Sequence, residues 1–103
     1  VIGLPPPQRR LVRRLLDRHL PGRAVQVFGS RATGRGLKPW SDLDLWIGGG
    51  GVDPMHLADL REAFEQSDLP FRVDLVVAAE VGEAFQRAIE ADLVALPHET
   101  GAD

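Results

Sequence analysis

Val27-Phe28-Gly29-Ser30, followed after eleven residues by Asp42-Leu43-Asp44-Leu45, governs how this chain reads. A short apolar run stops at Gly-Ser, and a second apolar run then carries two carboxylates at i and i+2. Side chains two apart on a strand point to one face. Asp42 and Asp44 are therefore expected side by side, with Leu43, Leu45 and Ile47 turned into the core. Two adjacent carboxylates repel unless one keeps its proton or a cation lies between them. Hard oxygen ligands beside a gap the size of a phosphate suit Mg²⁺ better than a softer metal. The stretch reads as a metal-dependent site for a nucleoside triphosphate.

Further along, Phe71-Arg72-Val73-Asp74-Leu75-Val76-Val77 is another apolar run with an acidic residue inside it. Each piece alone has a plainer explanation. Gly-Ser after a strand is commonly a turn, and Asp-Leu-Asp-Leu is commonly the solvent face of a half-buried strand. Arg72, on the face of Asp74, can simply pair with it. Their joint order and spacing are far more specific.

The string Gly29-Ser30-Arg31-Ala32, then Ser41-Asp42-Leu43-Asp44-Leu45, then Asp74, resembles the minimal nucleotidyltransferases (MNT). These belong to the superfamily that includes DNA polymerase beta. The likeness spans residues 24–96, with a gap one residue longer than in some members. It implies an α/β (α+β) fold, a small mixed β-sheet with flanking helices that brings three acidic residues to one face. It also implies that Asp42, Asp44 and Asp74 are catalytic and hold Mg²⁺. The family picture has two ions about 3.5–4 Å apart. Asp74 would share an ion or take the proton of the attacking hydroxyl. Gly29, Ser30 and Arg31 would bind the nucleotide, with ATP as substrate. Gly29 lacks a Cβ that would obstruct close approach. Ser30 offers a hydroxyl, and the helix behind it offers N–H groups at its positive end.

Larger members carry helical domains that hold an acceptor, and 103 residues leave no room for one. The acceptor is then held by the small domain, by a second copy or by a separate protein. Minimal nucleotidyltransferases are paired with helical HEPN proteins, and some are antitoxins that adenylylate a tyrosine on a HEPN ribonuclease toxin. The resemblance therefore implies transfer of AMP to such a partner. The alternative is a non-catalytic antitoxin that masks its partner by contact. The chain holds no tyrosine, which excludes tyrosine self-modification. Nucleotidylation of a small molecule is disfavoured by the missing acceptor domain. Direct nucleic-acid binding is disfavoured too, because no fold-specific readout motif accompanies the arginines.

Composition bounds the rest. The length suits one small domain over residues 1–103, with an extended start at 1–6 and a tail at 98–103. No run of about twenty apolar residues suggests a membrane span, and the start lacks the apolar core of a signal peptide. Absent cysteine excludes disulfides, thiolate metal sites and a Cys nucleophile, and fits a reducing, cytoplasmic setting. Net charge is −3, unevenly spread. Residues 1–40 hold nine Lys/Arg against one acidic residue, and residues 41–103 hold three Arg against fourteen Asp/Glu. The basic third could meet phosphates or an acidic surface, or could pair with the acidic helices.

Periodicity predicts a helix over 8–19 with Leu11, Val12, Leu15, Leu16 and His19 inward and arginines filling the remainder. A strand follows over 24–28, then a short helix capped by Ser30 and reaching about Arg35. A second strand runs from Trp40 or Asp42 to Ile47, and 48–51 is a flexible glycine connection. Asp53-Pro54 starts a helix with Leu57, Leu60, Ala63 and Phe64 inward. Residues 71–77 form the third strand. A last helix over 81–93 turns Val81, Ala84, Phe85, Ala88 and Ile89 inward, and 94–96 adds a short strand. Arg31, Arg35 and Lys38 can reach phosphates or lie in a solvated loop. Trp46 shares the face of Asp42 and Asp44, to stack on a base or pack under a helix, and Trp40 is a candidate partner contact. His19 reads as packed or capping, and His56 and His98 lack metal-ligand spacing. Gly29 to Gly34 fits the start of a P-loop, but Arg35-Gly36 stands where Lys-[Ser/Thr] is needed.

Overall fold

The structure, a computed structural model, describes residues 2–97. Its elements are α1 (Pro6–His19), β1 (Val25–Phe28), α2 (Ser30–Thr33), β2 (Leu43–Ile47), α3 (Pro54–Glu65), β3 (Val73–Val77), α4 (Glu83–Ile89) and β4 (Val94–Ala95). Single turns of 3-10 helix, Ala78–Glu80 and Glu90–Asp92, flank α4. The strands form one mixed sheet in the order β3-β2-β1-β4. β1 runs antiparallel to both β2 and β4, and β2 runs parallel to β3.

Local chemistry explains the boundaries. Prolines occupy the first turn of α1, where a missing N–H has no intrahelical use. Arg18 and His19 lie in its last turn, where cations complement the helix dipole. His19 Nδ1 donates to the Leu15 carbonyl at 2.9 Å, so the ring is packed and bonded as expected. Asp53 caps α3 by accepting from the Met55 amide at 2.8 Å, with Pro54 as the first helical residue.

The alternation in β2 sorts residues onto two faces. Leu43, Leu45 and Ile47 enter a core with Val25, Val27 and Val77, closed by Val12, Leu16, Leu57, Leu60 and Phe64 of α1 and α3. The opposite face carries Phe28, Asp44 and Asp74 in one row, because register pairs Phe28 with Asp44 and Asp44 with Asp74. Burying the hydrophobic set fixes this register, since a slip by one residue would turn every carboxylate into the core.

Several expectations need correction. Helix α1 starts at Pro6 rather than Gln8, so the extended start is shorter than expected, and its Leu4 is buried. Ser30 does not cap the short helix. Gly29 is the N-cap, no side-chain cap bond forms, and the helix ends at Thr33. Strand β2 begins at Leu43, which leaves Asp42 just before it, and β3 begins at Val73, after Phe71 and Arg72. The last helix is only seven residues and buries none of them, against the inward set expected for it. A glycine at its N-cap offers no side-chain bond to hold its first turn. Arg13 is not solvated with its neighbours. It lies buried under the end of β4, held by Asp17 at 2.9 Å and the Leu96 carbonyl at 3.4 Å. The expected tail at 98–103, including His98, lies outside the described residues. Among the described residues, no helix is long and apolar enough to cross a membrane.

Candidate active site

The site begins at the turn between β1 and α2. Gly29 adopts φ 75° and ψ −159°, a conformation open in practice to glycine alone. The backbone there passes directly under Asp44, and a Cβ at Gly29 would collide with Asp44 Oδ2. Glycine thus serves twice, as the turn and as the space that lets the Gly-Ser corner meet the carboxylate. Ser30 opens α2 beside it, half-buried.

Asp44 sits mid-strand and half-buried between Phe28 on β1 and Asp74 on β3. Adjacent strands lie about 4.8 Å apart, so these two carboxyls are immediate neighbours. Burial, the negative charges of Asp74 and Asp42, and a hydrogen bond with Asp74 push the Asp44 carboxyl up to about 6, against a smaller opposing pull from Arg72. Asp42 and Asp74 are more open, at 45 % and 40 % exposure. Arg72 bridges them, its Nη2 lying 3.5 Å from Asp42 Oδ2 and 3.4 Å from Asp74 Oδ1. The pairing with Asp74 was readable from their alternation on one run; the reach to Asp42 was not, because it depends on β2 and β3 lying parallel.

Three carboxylates on one face, one still protonated near pH 6 and two gathered around a guanidinium, make a site that accepts positive charge. Their hard oxygens fit Mg²⁺. Among the described residues, no group of three or more His, Cys, Asp or Glu side chains is already arranged to hold a metal ion. The expected trio therefore shares its face without forming a finished cage.

A cleft of about 1080 Å³ opens at Asp44 and Asp74, lined also by Phe28, Phe85, Arg61 and Phe64. Phe85 stacks on Trp46 with ring centroids 6.2 Å apart and meets Phe28 edge-on at 6.0 Å. Trp46 is thereby packed under α4, the second of its two expected roles. The Phe85 wall went unnoticed in the sequence, where its spacing placed it in a core.

Arg31 is placed differently from the nucleotide-binding role expected of it. Its side chain is 3 % exposed and lies over the Phe71 ring at 4.0 Å. Its donors go to the carbonyls of Ser41 at 2.9 Å, Gly3 at 2.7 Å and Pro39 at 3.0 Å. The guanidinium fastens the loop that delivers Asp42. Arg35 meets Asp92 at 3.5 Å on the surface. Trp40 stands 67 % exposed, open to a partner contact.

Comparison with known proteins gives the family and the fold. Residues 9–96 match the family model described as "Nucleotidyltransferase domain". The chain is 41 % identical over 80 residues to "Probable protein adenylyltransferase MntA" of Haemophilus influenzae, covering 77 % of this chain and 69 % of that protein. It also shares its fold with a solved structure described as "Crystal structure of the toxin-antitoxin with AMP-PNP". That match has a TM-score of 0.68 and 20 % identity, and covers 89 % of this chain and 74 % of the other.

Proposed function

Because the chain belongs to the nucleotidyltransferase family, with a polymerase beta-like fold and a minimal form of that domain, we propose that it transfers AMP from ATP to a hydroxyl of a partner protein. The partner in this reading is a helical HEPN ribonuclease toxin, which the transfer neutralises. Kinship with a probable protein adenylyltransferase supports the reaction, and the fold shared with a toxin–antitoxin structure supports the setting. The observation that carries the reading is the contact of the Gly29 turn with Asp44, in a row with Asp74.

In the mechanism, Gly29 and Ser30 receive the triphosphate at a turn that the missing Cβ allows to lie against Asp44. Asp42, Asp44 and Asp74 would hold Mg²⁺, as two ions in the family arrangement. When bound, the metal supplies neutralisation of the charge that builds on the phosphates. Asp74, the more open partner of the Asp44–Asp74 pair, takes the proton of the acceptor hydroxyl. The acceptor oxygen attacks the α-phosphorus, and the bond to the β-phosphate oxygen breaks to release pyrophosphate. Asp44 stays protonated to higher pH than an ordinary carboxyl, so it reaches its charged, metal-holding form near neutral pH. Arg31 acts from a distance, keeping the Asp42 loop in place.

Incubation with the partner and ATP labelled at either the α- or the γ-phosphate tests the reaction. Label should reach the partner from the α-position alone. Transfer from the γ-position would indicate a kinase and overturn the reading. The alternative reading is a non-catalytic subunit that masks its partner by contact. Changing Asp42 and Asp44 together to Asn separates the two. Neutralisation that survives the change belongs to masking, and neutralisation that disappears belongs to catalysis.

A further inference from the structure

Arg72 is the cation that touches two members of the carboxylate trio, and it does so loosely. Its side chain is 73 % exposed, and contacts of 3.5 Å and 3.4 Å to Asp42 and Asp74 are longer than good charge-assisted bonds. Its backbone is by contrast firmly placed, since the Leu43 amide donates to the Arg72 carbonyl at 2.8 Å. The residue is a fixed post with a movable charged head. It also lines the cleft that holds Asp44, Asp74 and Phe85.

A divalent ion held by the trio would draw on the same two carboxylates that Arg72 now faces. Two cations crowded onto one carboxylate pair repel, so arrival of the ion drives the loosely held guanidinium away. The post keeps the displaced head within the cleft, where the anion on offer is the triphosphate. A planar guanidinium matches phosphate oxygens in pairs. Arg31 does not take this part, because its buried side chain is tied to three carbonyls and does not line this cleft.

We propose that Arg72 is an exchange residue and a triphosphate ligand: it pairs with Asp42 and Asp74 before the metal arrives, and grips the nucleotide phosphates once the metal takes those oxygens. The inference rests on the reading of Asp42, Asp44 and Asp74 as metal holders. It makes metal and nucleotide binding mutually reinforcing, since each gives the other's competitor a new partner. It also sets opposite signs for one substitution. Loss of an exposed ion pair should tighten binding of the metal alone by at most about fivefold. Loss of an arginine–phosphate contact should weaken nucleotide binding by about tenfold or more.

The test titrates Mn²⁺ alone, followed by electron paramagnetic resonance, and then ATP in the presence of Mn²⁺, followed by calorimetry. The proteins are the intact chain and its Arg72→Gln, Arg72→Lys and Arg61→Gln forms. Among the described residues, Arg61 lines the same cleft but forms no ion pair with Asp42 or Asp74, so it controls for simple loss of charge. Arg72→Gln should bind Mn²⁺ alone about twofold to fivefold more tightly, and ATP about tenfold more weakly. Arg72→Lys should keep the parent's affinity for Mn²⁺ alone, and Arg61→Gln should move neither. Arg72→Gln binding Mn²⁺ no more tightly than the parent overturns the exchange while leaving the metal site standing. Equal tightening by Arg61→Gln also overturns it, by reducing the effect to net charge. Failure of every form to bind Mn²⁺ overturns the metal-holding reading and the inference with it.

Discussion

The two faces of the sheet differ in kind, although the same strands build both. Behind it, Leu43, Leu45 and Ile47 meet α1 and α3 with no exposed surface. In front, Asp44 and Asp74 stand half-buried, and the helix above them, α4, has no buried residue at all. Strand β2 belongs to both, alternating leucine and carboxylate. The contrast teaches that the rear layer supplies the rigidity and the front layer is left free for charge. Carboxylates placed in a dry core would lose their ionised form, and placed on a loop they would lose their alignment. A stiff strand with one packed side avoids both.

Substitutions on the two sides should separate sharply. Leu45→Ala removes a fully buried side chain from the rear layer and should lower unfolding free energy by about 2–5 kcal/mol in urea titrations. Arg31→Ala, at the seam between the layers, leaves three carbonyls without their donor and should lower it by about 3 kcal/mol. Arg31→Lys should recover only part of that loss, because an ammonium cannot span the three positions.

The front face should respond with the opposite sign. Asp44 titrates near 6 in the folded chain against an ordinary value of 3.8. Between these values the folded form holds a proton that the unfolded chain has already released, so stability falls as pH rises through this window. Above about 6 the loss is complete. Asp44→Asn removes it, and should stabilise the metal-free protein at pH 7.5 by about 1 kcal/mol after allowance for solvent screening at a half-exposed group. The same variant at pH 3.5 should match the parent, and at every pH it should lose AMP transfer. Melting curves across pH, with and without Mg²⁺, read both effects. Phe85→Ala should have the smallest effect, about 0.5–1 kcal/mol, because the ring is 41 % exposed and its contribution is the stacking on Trp46 and Phe28.

The same contrast explains what could be read from the chain. The rear layer was legible because Leu43, Leu45 and Ile47 alternate at strand period and Leu57, Leu60 and Phe64 recur at helical spacing. Asp42 and Asp44 were expected on one side from their i, i+2 spacing, although Asp42 lies just before the strand. Asp74 was expected beside them only from the family resemblance. Whether β2 and β3 ran parallel was not legible, so the Arg72 bridge could be foreseen only in part. Arg13 and Arg31 were misread for one reason. An arginine buried by distant carbonyls, Leu96 in one case and Gly3 in the other, leaves no trace in local spacing. The seven-residue α4 was overestimated because its apolar residues have helical spacing, yet it stops at Ile89 and buries none of them. Phe85 meets Trp46 and Phe28 from a partly exposed position.

Mass spectrometry of the partner protein after incubation with ATP and Mg²⁺ tests the central claim most directly. The intact chain should leave AMP joined to a partner hydroxyl, and the Asp42→Asn, Asp44→Asn double variant should leave the partner unchanged. A partner that is neutralised yet carries no adduct would contradict the account, as would an adduct formed equally well by the double variant.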